Sequence, residues 1–176
     1  MSGAVVWLTG LPGAGKSTLA EGLHTALLAA GVRAELLDGD DVREHLWRDL
    51  GFSKADRDEQ VRRLGYVARM LARNDVVAIV AAVSPYREAR DSARCGTDCF
   101  IEVHVTCPSE ELARRDPKAL YARAARGEVT GLTGVSAPYE PPVFPEVLID
   151  TSRTTVTAGV AAIRETLECR RGLTTR

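Results

Sequence analysis

Residues 8–23, LTGLPGAGKSTLAEGL, decide the fold of this chain. They contain Gly10-Leu-Pro-Gly-Ala-Gly-Lys16-Ser17, which fits the pattern G-x-x-x-x-G-K-[ST]. The run stands between an apolar segment at 4–8 and a pattern of Leu19, Leu23, Ala26, Leu27 and Ala30 that repeats on one helical face and ends at Gly31. Strand, glycine-rich loop and helix in that order form a phosphate cradle. The glycines let the backbone curl so that its N–H groups point inward, and the helix N-terminus at Ser17 adds partial positive charge. Lys16 is placed to neutralise β- and γ-phosphate oxygens, and the Ser17 hydroxyl to ligate Mg2+ beside ATP or a similar triphosphate. The chain has three lysines (Lys16, Lys54, Lys118) against twenty arginines, so a lysine at the end of this loop departs from its habit.

Working outward, short apolar runs at 34–37, 76–83, 100–105 and 147–149 join the one at 4–8 as five buried strands, each followed by a helical pattern. Val61, Leu64, Val67, Ala68 and Leu71 mark one such helix before Asn74. Strand–helix alternation with continuously apolar strands predicts an α/β fold of the P-loop NTPase type, a doubly wound, parallel five-stranded sheet flanked by helices. At 176 residues and 45% apolar content, 1–176 is expected to form one domain. Residues 116–145, rich in Arg, Gly, Pro and Thr with a helical piece at 119–126, are expected to act as a lid.

A formal charge of −1, from 23 basic and 24 acidic residues, argues against a general nucleic-acid or membrane surface and for small-molecule partners. No apolar run approaches membrane-spanning length and no leader pattern precedes the first strand, so a cytoplasmic location is expected. Cys95, Cys99, Cys107 and Cys169 lack metal-ligand or redox pairing and read as reduced structural thiols.

A phosphate loop alone does not separate a switch from an enzyme. The second strand runs into LLDGDDVREHL at 36–46, which sets Asp38 and Asp40 at the strand's carboxyl end, the edge where open parallel sheets bind ligands. A carboxylate there accepts a proton from an attacking hydroxyl or positions a metal-bound water, whereas the same turn also suits capping of the next helix. No Asn-Lys-x-Asp base-reading motif of a GTPase occurs. A phosphotransferase and a nucleotide-binding regulatory module both remain open at this point.

The phosphate loop, DGDDVREHL (38–46), LGFSKADRDEQVRRLG (50–65), SPYREARD (84–91), EVHVTCPSEELARRDPKALYARAARGEV (102–129) and GLTGVSAPYEPP (131–142), in that order, resemble the adenylylsulfate kinases. The resemblance implies transfer of the γ-phosphoryl group of ATP, with Mg2+, to the 3'-hydroxyl of adenylyl sulfate, in a homodimer. A kinase of the same fold with another nucleotide or hydroxylated metabolite as acceptor is the sibling reading.

By the resemblance, Gly10, Gly13, Ala14, Gly15, Lys16, Ser17, Thr18 and Arg115 belong to the ATP site. Asp40, Arg43, Phe52, Arg57, Gln60, Val83, Ser84, Lys118, Gly131 and Leu132 belong to the acceptor site. Lys16, Asp40, Lys118 and Ser84 stand nearest the chemistry, and Ser17 and Asp40 are the metal-side residues. Asp40 is the implied base. Arginine forks such as Arg43 and Arg57 suit a doubly anionic acceptor. The serine at position 84 is sometimes described in this family as a phosphorylated intermediate; a binding role is expected here, because in-line transfer needs only positioning and charge stabilisation. Lys54 is expected to be merely exposed.

Three departures from the family pattern fall in the acceptor half: Asp41 and Gln60 each replace an Asn, and Leu132 replaces a Phe that would cover the second face of the acceptor base. Ala81 and Ala82 stand where a larger aromatic is usual.

Overall fold

The structure, a computed structural model, describes residues 3–116 and 118–172. The elements run β1 (Ala4–Thr9), α1 (Lys16–Ala29), β2 (Ala34–Asp38), α2 (Gly39–Leu46), α3 (Lys54–Ala72), β3 (Val77–Ala81), α4 (Arg87–Arg94), β4 (Phe100–Thr106), α5 (Ser109–Arg115), α6 (Leu120–Ala125), β5 (Val147–Asp150) and α7 (Val156–Arg170). All strand pairs are parallel, in the order β2-β3-β1-β4-β5. The five expected strands and the helix after each are present, but β2, at the edge of the sheet, is half-buried and not buried as expected. The third is shorter than its apolar run, because after Ala81 the chain leaves the ladder and turns through Ser84 at a positive φ of 40°.

The two-residue period of the strands distributes the core to both faces. Ala4, Val6 and Leu8 of β1, with Ile101, Val103 and Val105 of β4, pack under Leu19, Leu23 and Leu27 of α1 and Val160, Ile163 and Leu167 of α7. Val5 and Trp7 point the other way, with Ala78 and Val80 of β3, toward Val61, Leu64 and Ala68 of α3 and Val42 of α2. Every residue of β1 is buried, which explains its unbroken apolar sequence from Ala4 to Leu8.

Helix ends follow local chemistry. Ser53 and Asp56 form a reciprocal capping box at α3. Asp38 caps α2, its Oδ1 accepting from the Asp40 N–H at 2.9 Å. All four cysteines are free; Cys95 and Cys169 are exposed, so only Cys99 and Cys107 are partly packed in the way expected of structural thiols. Among the described residues no helix is long and apolar enough to cross a membrane.

Ile163 is fully buried between α7 and the sheet. Truncation there leaves a cavity, and Ile163→Ala is expected to lower stability by about 2–5 kcal/mol, read as a shift of the urea midpoint at unchanged slope.

Candidate active site

A cleft of about 560 Å³ opens at the carboxyl edge of β1 and β3. Its floor at one end is the phosphate loop, with Gly13, Gly15, Lys16, Ser17 and Thr18 lining it. Gly10 and Ala14 do not line it. A Cβ on Gly10 (φ 155°) would stand 2.1 Å from the Val105 carbonyl oxygen, so this glycine permits the close passage of the loop over β4. Ala14 points into the core, and its N–H donates to the Leu11 carbonyl at 3.2 Å instead of facing the cleft.

Lys16 is 9% exposed. Its Nζ donates to the carbonyls of Gly10 at 2.9 Å and Leu11 at 3.0 Å. Burial pulls its pKa down to about 8, against the opposing attraction of Asp40 and Asp38. Across from it, the Ser17 hydroxyl donates to Asp38 Oδ2 at 2.6 Å. The carboxylate beside Ser17 is therefore Asp38, and Asp40 looks elsewhere: its Oδ2 accepts from Lys118 Nζ across the mouth of the cleft. That pairing raises the pKa of Lys118.

The far end of the cleft holds the residues assigned above to an acceptor. Phe52 is exposed, with the Arg43 guanidinium 4.3 Å and that of Arg57 5.7 Å from its ring centre. Arg43 donates to the Gly51 carbonyl, leaving its Nε without a partner. Arg57 joins two segments: Nε donates to the Phe52 carbonyl at 3.0 Å and Nη2 to that of Gly131 at 2.8 Å. Gln60 Nε2 donates to the Gly39 carbonyl at 2.9 Å. Leu132, Val83, Ala81 and Ala82 complete the apolar wall. The small residue at 82 fits tight quarters, since a Cβ on Gly39 would lie 3.1 Å from that of Ala82. Asp41 is outside the cleft, exposed, 3.3 Å from His45 Nδ1.

Two expectations change. Ser84 lines the cleft, but its hydroxyl accepts from Trp7 Nε1 at 3.0 Å and donates to the Ala82 carbonyl at 3.2 Å. The hydroxyl is buried and spent within the fold, a poor position for a nucleophile. Lys54 is more than exposed: it pairs with Asp58 at 2.6 Å and lies 4.6 Å from the Tyr86 ring centre.

Sequence reasoning missed three supports. Thr151 Oγ1 donates to the Ala14 carbonyl at 2.8 Å and accepts from Arg115 Nη1 at 2.9 Å, tying the loop to the end of α5. Tyr121 of α6 donates to the Pro12 carbonyl at 2.8 Å. The third is Arg90, taken up below. None carries a local signal, because each acts across more than five residues of chain. The expected lid is anchored at its far end, where Glu140 N–H donates to the Pro85 carbonyl at 2.8 Å. Pro117, within it, lies outside the described residues.

A parallel sheet with a phosphate loop at the end of its central strand, facing a carboxylate–lysine pair over a single cleft, defines a phosphotransferase of the P-loop class. Residues 2–150 match the model of the adenylylsulphate kinase family. The chain is 53% identical over 150 residues to an adenylyl-sulfate kinase of Chloroflexus aurantiacus, covering 85% of this chain and 81% of that one. It is 50% identical over 168 residues to a probable bifunctional SAT/APS kinase 2 of Sorangium cellulosum, of which it spans 29%. The structure resembles that of the Mycobacterium tuberculosis APS kinase CysC in complex with AMPPNP and APS, with a TM-score of 0.91, 41% identity and coverage of 95% of this chain and 98% of that one. This chain belongs to the adenylylsulphate kinase family.

Lys16 must be charged to hold a polyphosphate, and its lowered pKa puts the loss of that charge within reach. Between pH 7 and 9 the charged fraction of a group with pKa about 8 falls about tenfold, so the Kd for Mg-ATP is expected to rise by about that factor. Isothermal titration across this range checks it; Lys16→Met should bind weakly with no such pH dependence.

Proposed function

We propose that this chain transfers the γ-phosphoryl group of ATP to the 3'-hydroxyl of adenylyl sulfate. The observation that carries the reading is one cleft holding Lys16 and Ser17 at one end, Phe52 with Arg43 and Arg57 near its ring at the other, and the Asp40–Lys118 pair among the lining residues. The kinship with an enzyme solved with AMPPNP and APS supports it.

In this reading the phosphate loop binds the triphosphate through its N–H groups and Lys16, which leaves the Gly10 and Leu11 carbonyls to do so. Mg2+ fits the oxygen pair of Ser17 and Asp38, 2.6 Å apart, and would supply charge neutralisation between the β- and γ-phosphates. Phe52 stacks on the acceptor adenine and Leu132 covers the other face. Arg43 and Arg57 meet the phosphate and sulfate oxygens with paired N–H bonds. Arg57 must then release the Gly131 carbonyl, so acceptor binding and the position of the 131–132 segment are linked.

Asp40 takes the proton of the 3'-hydroxyl as its oxygen bonds to the γ-phosphorus, and the bond from that phosphorus to the bridging oxygen breaks to release ADP. Lys118, exchanged from Asp40 to the transferring group, stabilises the charge in flight. Arg115, fixed by Thr151, supports the nucleotide side. Of the 116–145 segment expected to act as a lid, the part before Tyr139 is the part that moves in this reading, because Tyr139 and Glu140 are bonded to Thr9 and Pro85.

Incubation with Mg-ATP and adenylyl sulfate is expected to give ADP and a product heavier by one phosphoryl group, by mass spectrometry. Asp40→Asn should lower kcat by about 100-fold or more while the Kd for ATP changes little. Transfer to another hydroxyl compound with none to adenylyl sulfate would replace the acceptor and leave the kinase standing. Nucleotide binding without transfer to any acceptor would favour a regulatory module.

The homodimer is part of the same proposal. Phe144 is 88% exposed, and Val143 next to it in the chain and Leu148 on the edge strand β5 are also open, apolar surface that a second copy would cover. Sedimentation equilibrium should return twice the chain mass, and Phe144→Ser should shift it toward the monomer.

A further inference from the structure

Arg90, on α4, is 1% exposed and lies outside the cleft. Its guanidinium reaches three acceptors from three separate parts of the chain. Nε donates to Glu102 Oε1 on β4 at 2.8 Å, Nη1 to the Ser84 carbonyl at 2.6 Å and Nη2 to the Glu140 carbonyl at 2.7 Å. Only a planar fork with fixed N–H directions serves all three at once. Glu102 also accepts from Arg94 at 3.4 Å, and its alternation with Ile101 and Val103 turns it to the face where α4 lies.

The two carbonyls matter because of where they stand. Ser84 follows Val83 on the acceptor wall and holds a left-handed backbone that a serine seldom adopts unless its surroundings impose it. Trp7 fixes its hydroxyl and Arg90 its carbonyl. Glu140 is the return of the lid segment; its N–H meets the Pro85 carbonyl, and its Oε2 accepts from the Arg87 N–H at 2.8 Å. Tyr139, whose ring centre is 5.8 Å from the Arg90 guanidinium, shares a hydrogen bond of 3.0 Å with Thr9 Oγ1, and that hydroxyl donates to the Val83 carbonyl at 2.7 Å. The wall at 83–85 and the root of the lid are therefore one clamped unit with Arg90 at its centre. The phosphate loop meets this unit at Thr9, the residue before Gly10, and is held along its length by other bonds, from Thr151 to the Ala14 carbonyl and from Tyr121 to the Pro12 carbonyl.

We propose that Arg90 is a positioning residue for the acceptor: it holds the 83–85 wall and the 139–141 anchor in register, so that lid and wall meet around the acceptor and not around ATP. The inference rests on the acceptor site argued above.

Arg90→Met would strand Glu102 in the interior and unfold part of the population. Arg90→Lys keeps a positive charge beside Glu102 but loses the fork. With Arg90→Lys, the KM for adenylyl sulfate is expected to rise about tenfold to a hundredfold, and the KM for ATP to stay within about twofold. Amide exchange at Arg87 and Glu140 should accelerate while β1 stays protected. Glu102→Gln, which weakens the hold on the guanidinium, should shift the same quantities in the same direction by less.

An unchanged acceptor KM, a parallel rise in both KM values, or faster exchange throughout the sheet would overturn the proposal and leave Arg90 a core ion pair. If the wild-type protein does not act on adenylyl sulfate, the proposed function fails by that result alone. The exchange measurement then decides the clamp: acceleration confined to Arg87 and Glu140 upholds it, and its absence overturns it.

Discussion

The placement of β1 between β3 and β4 governs where every reactive group stands. Its residues pair with Val77–Ala81 on one side and with 100–104 on the other, and all are buried. A strand closed on both edges and both faces has one free direction, forward from its carboxyl end. There the chain must turn tightly over β4 at Gly10 and re-enter as α1, which lays Gly13, Gly15, Lys16 and Ser17 along the cleft. The neighbouring strands end at the same level, so Asp38 from β2 and the 82–85 turn after β3 arrive at the same opening.

Charge is handled in two ways around that opening. The Asp40–Lys118 pair is exposed on both sides, and such a pair contributes little to stability because water screens it and both side chains give up freedom to form it. An anionic ligand can take the place of Asp40 beside Lys118 at small cost. The Arg90–Glu102 pair is buried, and parting it would leave a charge in the core. The first arrangement suits groups that move during a reaction, the second a frame that does not. Lys16 lies between these cases: it is buried, but held by neutral carbonyls that a triphosphate can replace.

The departures in the acceptor half have separate structural meanings. Asp41 faces solvent and His45, so its charge is remote from an anionic acceptor. Gln60 uses its longer arm to bond the Gly39 carbonyl behind Asp40, bracing the start of α2. Leu132, nearly buried, keeps an apolar cover over the wall without an aromatic face. The small Ala82 accommodates the backbone at Gly39.

The sequence alone determined the strands, the helices that follow them and the phosphate loop, because each rests on local periodicity or on residues within one turn of chain. The spacing from Gly10 to Ser17 carries its own geometry. That the sheet is parallel also follows from apolar runs too continuous for a sheet with a wet face, whereas the order β2-β3-β1-β4-β5 is a property of the tertiary structure. Tertiary structure alone decided which partner each polar group keeps. Asp38 and Asp40 are two residues apart and equally suited to Ser17, yet the turn into α2 sends one to Ser17 and the other to Lys118, 78 positions away. Ser84 reads as a binding hydroxyl at a strand end until Trp7, 77 positions away, claims it. Arg90 is one arginine among twenty in the sequence; only the meeting of β4, the 84 turn and the 140 segment in space gives its fork three acceptors. Hydrogen bonds between distant segments leave no period in the chain, since they depend on how the packed layers bring those segments together.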